Sequence, residues 1–184
     1  MMIRLFVAID LPELVAERLG GLCCGLKGAR WVDVEQMHLT LRFIGEVDGG
    51  LFREIRDELV GVAAAPFAIR LAGLGCFPPR KTPRVLWAGV EPAGQGSPLV
   101  ALRNRVESRL TRLGLEPEGR KYAPHITIAR LDNPPLHDLT RYLSANGLFA
   151  TEEFTVDEFH LYSSVLTPKG AIHAIEASYS LEGK

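Results

Sequence analysis

Apolar and polar residues alternate with a period of two through residues 37–44, Met-His-Leu-Thr-Leu-Arg-Phe-Ile, and again through residues 124–130, Pro-His-Ile-Thr-Ile-Ala-Arg. β-Branched and aromatic residues are frequent in both stretches, and that pattern predicts two half-buried strands. Strict alternation puts Leu39, Leu41 and Phe43 on one face of the first strand and His38, Thr40 and Arg42 on the other. In the second, Ile126 and Ile128 face the core and His125 and Thr127 the opposite side. Each strand therefore presents an imidazole beside a hydroxyl on its non-core face. The repeat of His-x-Thr hints at a duplicated half, although the remaining residues are too dissimilar to establish one.

The same reading extends to the rest of the chain. Residues 4–10 form a first strand. Asp10 and Glu13 flank Pro12 in the manner of a capping box, and a helix runs from there to about Lys27 with Leu11, Val15, Leu19, Leu22 and Leu26 on its buried stripe. Gly20-Gly21 weakens its middle, so it bends or ends early. Asp48 opens a second helix carrying Phe52, Ile55, Leu59 and Val62. Residues 66–71 and 84–90 are the third and fourth strands. Ser97-Pro98 starts a third helix that buries Leu99, Leu102, Val106, Leu110 and Leu113 and shows Arg103, Arg105, Arg109 and Arg112 elsewhere. Asn133-Pro134 caps a short fourth helix with Leu136, Leu139 and Leu143. Strands at 156–165 and 171–180 close the chain around a turn at 167–170. Short strands alternating with helices, and hairpins that require antiparallel pairing, predict an α+β protein: one domain over residues 1–184, built as two sheet-and-helix lobes with a central cleft between them.

Composition adds exclusions. The 184 residues are 47% hydrophobic and 23% charged with a net charge of −1, so any attraction to nucleic acid is local rather than global. Cys23, Cys24 and Cys76 have neither metal-type spacing nor a disulfide pattern, and point to a reducing compartment. The apolar start is interrupted at Asp10, too soon for a signal peptide, and no apolar run reaches membrane-spanning length. These features predict a cytoplasmic protein that engages no membrane and has no evident obligate protein partner.

Two histidines titrating near neutrality can share acid and base duty in a displacement at phosphorus. One activates the nucleophile, and the other protonates the leaving oxygen. Thr40 and Thr127, about 7 Å along the same strand faces from their histidines, supply donors for non-bridging oxygens as charge builds there. This arrangement requires no metal and no cofactor.

The pairs His38-Leu39-Thr40-Leu41 and His125-Ile126-Thr127-Ile128 resemble the paired H-x-T-x motifs of the 2H phosphoesterase superfamily. Residues 4–12, Gly45-Glu46-Val47, Val85-Leu86-Trp87 and residues 159–164 are similar to the prokaryotic RNA 2′,3′-cyclic phosphodiesterases, earlier described as 2′-5′ RNA ligases. The resemblance runs in order from the first strand to the last. It implies a bilobal fold with a pseudo-twofold relation and one motif from each lobe lining the cleft. It also implies hydrolysis of a 2′,3′-cyclic phosphate on an RNA end or nucleotide to a 2′-phosphate, with His38 as proton donor and His125 as proton acceptor. The reverse sense would join a 5′-hydroxyl to the cyclic phosphate. Residue types alone are symmetric between the two histidines.

Further residues carry two readings each. Phe6 lies on the polar-side face of the first strand, as a base-stacking platform or as packing under a helix. Tyr162 is a cleft residue or a hydrogen-bonded structural tyrosine. Arg130 closes the second motif. Alternation would place it with Ile126 and Ile128, unless a bulge turns it to a phosphate. Arg42 alternates onto the His38 face as a second phosphate ligand. Arg80 and Lys81, in a proline-rich loop, and Arg84 beside it are candidate RNA contacts. The arginines of the third helix track RNA or form a solvated face. His137 is expected to be exposed, and His160 and His173 structural. Two other classes compete with the hydrolase: a nucleotide- or RNA-binding module that keeps the cleft without turnover, and a metal hydrolase, for which no ligand motif is present.

Overall fold

The computed structural model describes residues 2–79, 81–168 and 170–182. Its elements in chain order are β1 (Ile3–Ile9), α1 (Glu13–Gly20), β2 (Ala29–Trp31), a 3₁₀ turn at Val34–Gln36, β3 (Leu39–Val47), α2 (Gly49–Leu59), β4 (Phe67–Phe77), β5 (Val85–Glu91), α3 (Pro98–Arg112), β6 (His125–Leu131), α4 (Leu136–Ala145), β7 (Phe154–Val156), β8 (Glu158–Thr167) and β9 (Gly170–Ser180).

The strands run in the order β7-β4-β5-β6-β3-β1-β8-β9, with β2 also on β6. Every pairing is antiparallel. The two central strands meet at one pair only, Leu39 opposite Ile126. That seam divides the sheet into a first lobe, β3-β1-β8-β9, and a second lobe, β7-β4-β5-β6 with β2. The first lobe is built from the two ends of the chain and the second largely from its middle, so the lobes are not successive halves of the sequence.

Leu5, Val7 and Ile9 of β1, Leu39 and Leu41 of β3, and Ile126 and Ile128 of β6 are buried in one hydrophobic core beneath the helices. The helices start where the chemistry predicts at α2 and α3. Asp48 Oδ1 accepts from the backbone N–H groups of Gly50 and Leu51 at 2.7 and 3.0 Å, which lowers its carboxyl pKa. Ser97 Oγ accepts from Val100 N at 3.3 Å with Pro98 at the first helical position, a cap worth about 1 kcal/mol. Arg109 joins α3 to Glu58 of α2 at 3.0 Å. Tyr142 of α4 donates to the carbonyl of Leu22, just after α1, at 2.6 Å.

Several boundaries differ from expectation. Helix α1 stops at Gly20 rather than near Lys27. The backbone then turns through left-handed Gly25 and Gly28. Leu22 and Leu26 are still buried, so a loop produced the helical spacing. No side chain caps α1, and Asp10 is used elsewhere, as described below. Asn133 lies in a left-handed turn, the cap position of α4 is Pro135, and Leu136 is exposed. Strand β4 continues through Gly73 and Gly75 to Phe77, where glycines masked the alternation. Strands β2 and β7 are three residues each, too short for a period to show. No helix among the described residues is long and apolar enough to cross a membrane.

Candidate active site

The seam brings the two motifs together. Continuing the Leu39–Ile126 register places His38 opposite Thr127 and Thr40 opposite His125. The two imidazoles then stand as diagonal neighbours with the two hydroxyls on the crossing diagonal, a spacing of about 7–8 Å in a regular sheet.

Both rings are held in the same way. His38 Nδ1 lies 2.8 Å from the carbonyl of Gln36, and His125 Nδ1 lies 2.7 Å from the carbonyl of Ala123. A carbonyl only accepts, so each Nδ1 carries a hydrogen and each Nε2 is the nitrogen left to gain or release a proton. His38 is the more enclosed ring. Phe6, Tyr162 and His173 lie 4.7, 6.0 and 5.1 Å from it between ring centroids, and burial pushes its pKa down to about 4. His125 stands against Phe77 at 5.0 Å and Trp87 at 6.3 Å, with its Nδ1 bond at the exposed surface.

A bulge follows the threonine of each motif. On β3, Thr40 pairs with Ala8 and Arg42 with Val7, which leaves Leu41 without a partner. On β6, Thr127 pairs with Trp87 and Ala129 with Leu86, which leaves Ile128 without one. An extra residue reverses the alternation beyond it, and this decides where the arginines go.

Arg130, opposite Val85, comes round to the face of Thr127 and Trp87 and is exposed. A bulge thus turns Arg130 to the cleft face. Arg42 is turned the other way, and its expected place on the His38 face is corrected. It shares the core side with Val7, and its Nε lies 2.9 Å from Glu107 Oε2 of α3, an ion pair not aligned as a hydrogen bond. Its Nη2 donates to the carbonyl of Glu116 at 2.5 Å. Arg42 ties β3 to α3 and is not a phosphate ligand. Phe43, expected in the core, is 54% exposed on the cleft face beside Phe6.

Phe6 is not a stacking platform, because it is 1% exposed. It forms a floor under His38, with Tyr162 stacked on it at 5.0 Å and 5° and His173 edge-on at 4.8 Å. Tyr162 is also corrected as a substrate contact. It is 8% exposed, and its hydroxyl donates to Asp10. Burial and that bond raise its pKa. His160 is structural, as expected: it is buried, bonded to Ser178 Oγ at 2.8 Å and 3.6 Å from Asp10. His137 is exposed, as expected, 3.5 Å from Asp138.

Lys81 is exposed in the loop after β4, Arg84 is exposed just before β5, and Arg80 lies outside the described residues. Three of the four α3 arginines have structural partners. Arg105 and Arg109 donate to the carbonyls of Ala63 and Gly61 beyond the end of α2, and Arg103 pairs with Glu107.

Three residues have supporting roles at the site that sequence reasoning missed. Gln36 accepts from His38 through its carbonyl and from the N–H of His173 through Oε1, at 2.8 Å in both cases. His173 packs edge-on to His38 rather than standing apart on a closing strand. Tyr122, three residues before His125, donates to the carbonyl of Thr40 at 3.0 Å. Burial raises its pKa, and the bond ties one motif's approach segment to the other motif. Alternation along β9 would have put His173 on one face of the sheet, but only the pairing of β8 with β1 places that face under His38.

Paired strands carrying mirrored His-x-Thr sets across an open seam define a two-histidine phosphoesterase type of site. The family model described as "2'-5' RNA ligase superfamily" matches residues 14–167. The chain is 35% identical to the RNA 2′,3′-cyclic phosphodiesterase of Archaeoglobus fulgidus, covering 92% of this chain and 96% of that one. It is 37% identical to the protein of the same name from Thermotoga maritima, covering 98% and 96%. The crystal structure of TT0787 of Thermus thermophilus superposes with a TM-score of 0.80 at 29% identity, covering 98% of this chain and 99% of the other. The protein belongs to the 2′-5′ RNA ligase superfamily.

Proposed function

We propose that this protein hydrolyses 2′,3′-cyclic phosphate ends of RNA or nucleotides to 2′-phosphomonoesters. One observation carries the reading: two imidazoles on facing strands share one tautomer, each with Nε2 available and a threonine hydroxyl beside it. The RNA 2′,3′-cyclic phosphodiesterase names of the relatives support the choice of substrate.

In this scheme the cyclic phosphate sits between Thr40 and Thr127, whose hydroxyls donate to its non-bridging oxygens. His125 Nε2 takes a proton from a water molecule as the water oxygen bonds to phosphorus. The P–O3′ bond breaks, and His38 Nε2–H gives its proton to O3′. The product carries a 2′-phosphate and a 3′-hydroxyl. Arg130, on the same face about 10 Å along the strand from Thr127, adds positive charge to the cleft rather than a bond to the reacting phosphate. The donor role of His38 is the demanding one, because burial keeps that ring neutral in the free protein. The negative charge of the phosphate is what lets it hold a proton. Run in the same direction with a 5′-hydroxyl in place of water, the same groups form a 2′-5′ linkage: the 5′ oxygen bonds to phosphorus, the P–O3′ bond breaks and O3′ is protonated. Exposed Phe43 offers a base a flat surface at the mouth of the cleft, and exposed Arg84 and Lys81 offer charge toward the Arg130 end of β5 and β6. The three free thiols suit a reducing, cytoplasmic setting.

The test is turnover of an RNA ending in 2′,3′-cyclic phosphate, in EDTA, for the wild type, His38→Ala and His125→Ala. Losses of about 10²–10⁴-fold in each variant, with a 2′-phosphate product from the wild type, support it. Wild-type inactivity that a divalent ion restores would overturn the scheme. Binding of the cyclic end without turnover under either condition would make the protein a binding module.

A further inference from the structure

Arg30 of β2 lies directly opposite Arg130 of β6 in an antiparallel pair. Cross-strand partners project to the same side, so Arg30 shares the cleft face with Arg130, Thr127 and Trp87. Both arginines are exposed. Among the described residues neither has a carboxylate within ion-pair distance, in contrast to Arg42, Arg56, Arg70, Arg103, Arg109 and Arg141. Like charges directly opposite across strands are destabilising, and among the described residues no ion pair within 4 Å offsets this one.

The position of the pair suits an anion at some distance from the reacting phosphate. Arg130 is three residues beyond Thr127, about 10 Å along an extended strand, and Arg30 lies one strand further out. Guanidinium forks match phosphate oxygens two at a time. A cyclic mononucleotide has a single phosphate, which the Thr40–Thr127 centre occupies. An RNA strand carries a further diester one nucleotide upstream.

We propose that Arg30, beside Arg130, is a subsite for the first internal phosphodiester of an RNA strand whose cyclic end lies between the histidines. The substrate class is therefore a polynucleotide end in preference to a free cyclic nucleotide. The inference rests on the cyclic phosphodiesterase reading above.

The experiment compares 2′,3′-cyclic AMP with a hexaribonucleotide ending in 2′,3′-cyclic phosphate, using wild type, Arg30→Gln and Arg30→Lys. In parallel, fluorescence anisotropy follows binding of the hexamer that ends in a 2′-phosphate. For Arg30→Gln, the hexamer-to-mononucleotide ratio of kcat/KM falls about 10-fold through KM. Hexamer affinity falls by a similar factor, and the salt slope of log K becomes shallower by about 0.7. Arg30→Lys, which keeps the charge and loses the fork, lies between. The free Arg30→Gln protein is more stable to heat than wild type, because the opposed charges are gone.

An unchanged ratio and unchanged hexamer affinity in Arg30→Gln would overturn the proposal. A wild type that turns over neither substrate would remove the enzymatic reading, and the anisotropy arm would still decide whether Arg30 holds the strand.

Discussion

Phe43 and Arg130 occupy the same place in the two lobes. Each lies five residues after its motif histidine and two after the bulge that follows the motif threonine, and each is turned by that bulge onto the cleft face. One lobe therefore offers an apolar ring where the other offers a cation. A nucleotide has the matching asymmetry, with a base at one end and a phosphate at the other. The local backbone plan is common to both lobes, and the side chain carried at this position makes them different.

Phe43→Ala should raise KM for a cyclic-phosphate RNA by about 5- to 150-fold, the loss expected from one stacking contact of about 1–3 kcal/mol, with a smaller effect on kcat. Phe6→Ala should act differently. It empties the floor beneath His38 and destabilises the fold by about 3–5 kcal/mol. Steady-state kinetics and thermal melts on the two variants separate the roles; a Phe43 variant with unchanged KM would refute the stacking role.

Arg42 supplies a stability prediction where the alternation pattern implied a kinetic one. Arg42→Met leaves Glu107, a side chain only 14% exposed, without its main partner. Glu107 keeps Arg103 at 3.2 Å and the Glu118 N–H at 2.9 Å, so the expected cost is about 1–3 kcal/mol, or roughly 2–12 °C in Tm for a chain of this size. Turnover by the remaining folded protein at low temperature should stay within a few-fold of wild type. A loss of 10²-fold with an unchanged Tm would restore Arg42 as a phosphate ligand.

Tyr122→Phe removes the only hydrogen bond found, among the described residues, to the Thr40 carbonyl from outside the strand ladder. Losing that bond costs about 0.5–1.5 kcal/mol. Because Thr40 adjoins the bulge, kcat should fall more than KM rises. Equal kinetics in the variant would show that the bulge holds Thr40 unaided.

The depressed pKa of His38 has a defined pH signature. Between its unfolded value near 6.5 and its folded value of about 4, the unfolded chain binds a proton that the native chain does not. Stability from this group is thus complete above pH 6.5 and is lost as pH falls toward 4, by roughly 3 kcal/mol. His38→Gln should flatten that part of the stability curve in urea melts. In the wild type, the ring C–H resonance of His38 should titrate near pH 4 and move upward when inorganic phosphate is added. A free-protein midpoint at 6.5 would contradict the burial argument.

The motif strands as far as their threonines, the α2 and α3 caps and the core residues Leu5, Val7, Ile9, Ile126 and Ile128 were legible in the sequence, because they follow from local periodicity and capping chemistry. The fates of Arg42, Phe43 and Arg130 were not, since a bulge is a property of two paired strands and single-strand alternation counts through it. The same limit hid the setting of Phe6. An aromatic on the non-core face looks exposed until β8 and β9 bring Tyr162 and His173 over it. Asp10 read as a helix cap because it precedes Pro12 and Glu13, and only the β1–β8 pairing gives it Tyr162 as a partner.

The unequal enclosure of the two imidazoles bears on what happens between turnovers. In the proposed hydrolysis, His125 ends a cycle holding the water's proton and His38 ends it without one. The pair is then in the opposite state from that in which it began, and both must exchange with bulk water before the next P–O3′ bond breaks. For His125, at the exposed rim against Phe77 and Trp87, that exchange is direct. For His38, walled by Phe6, Tyr162 and His173, the free protein refuses the proton, so the recharge waits for the next phosphate. Substrate and proton therefore arrive at His38 together, and an empty cleft is an uncharged one on that side.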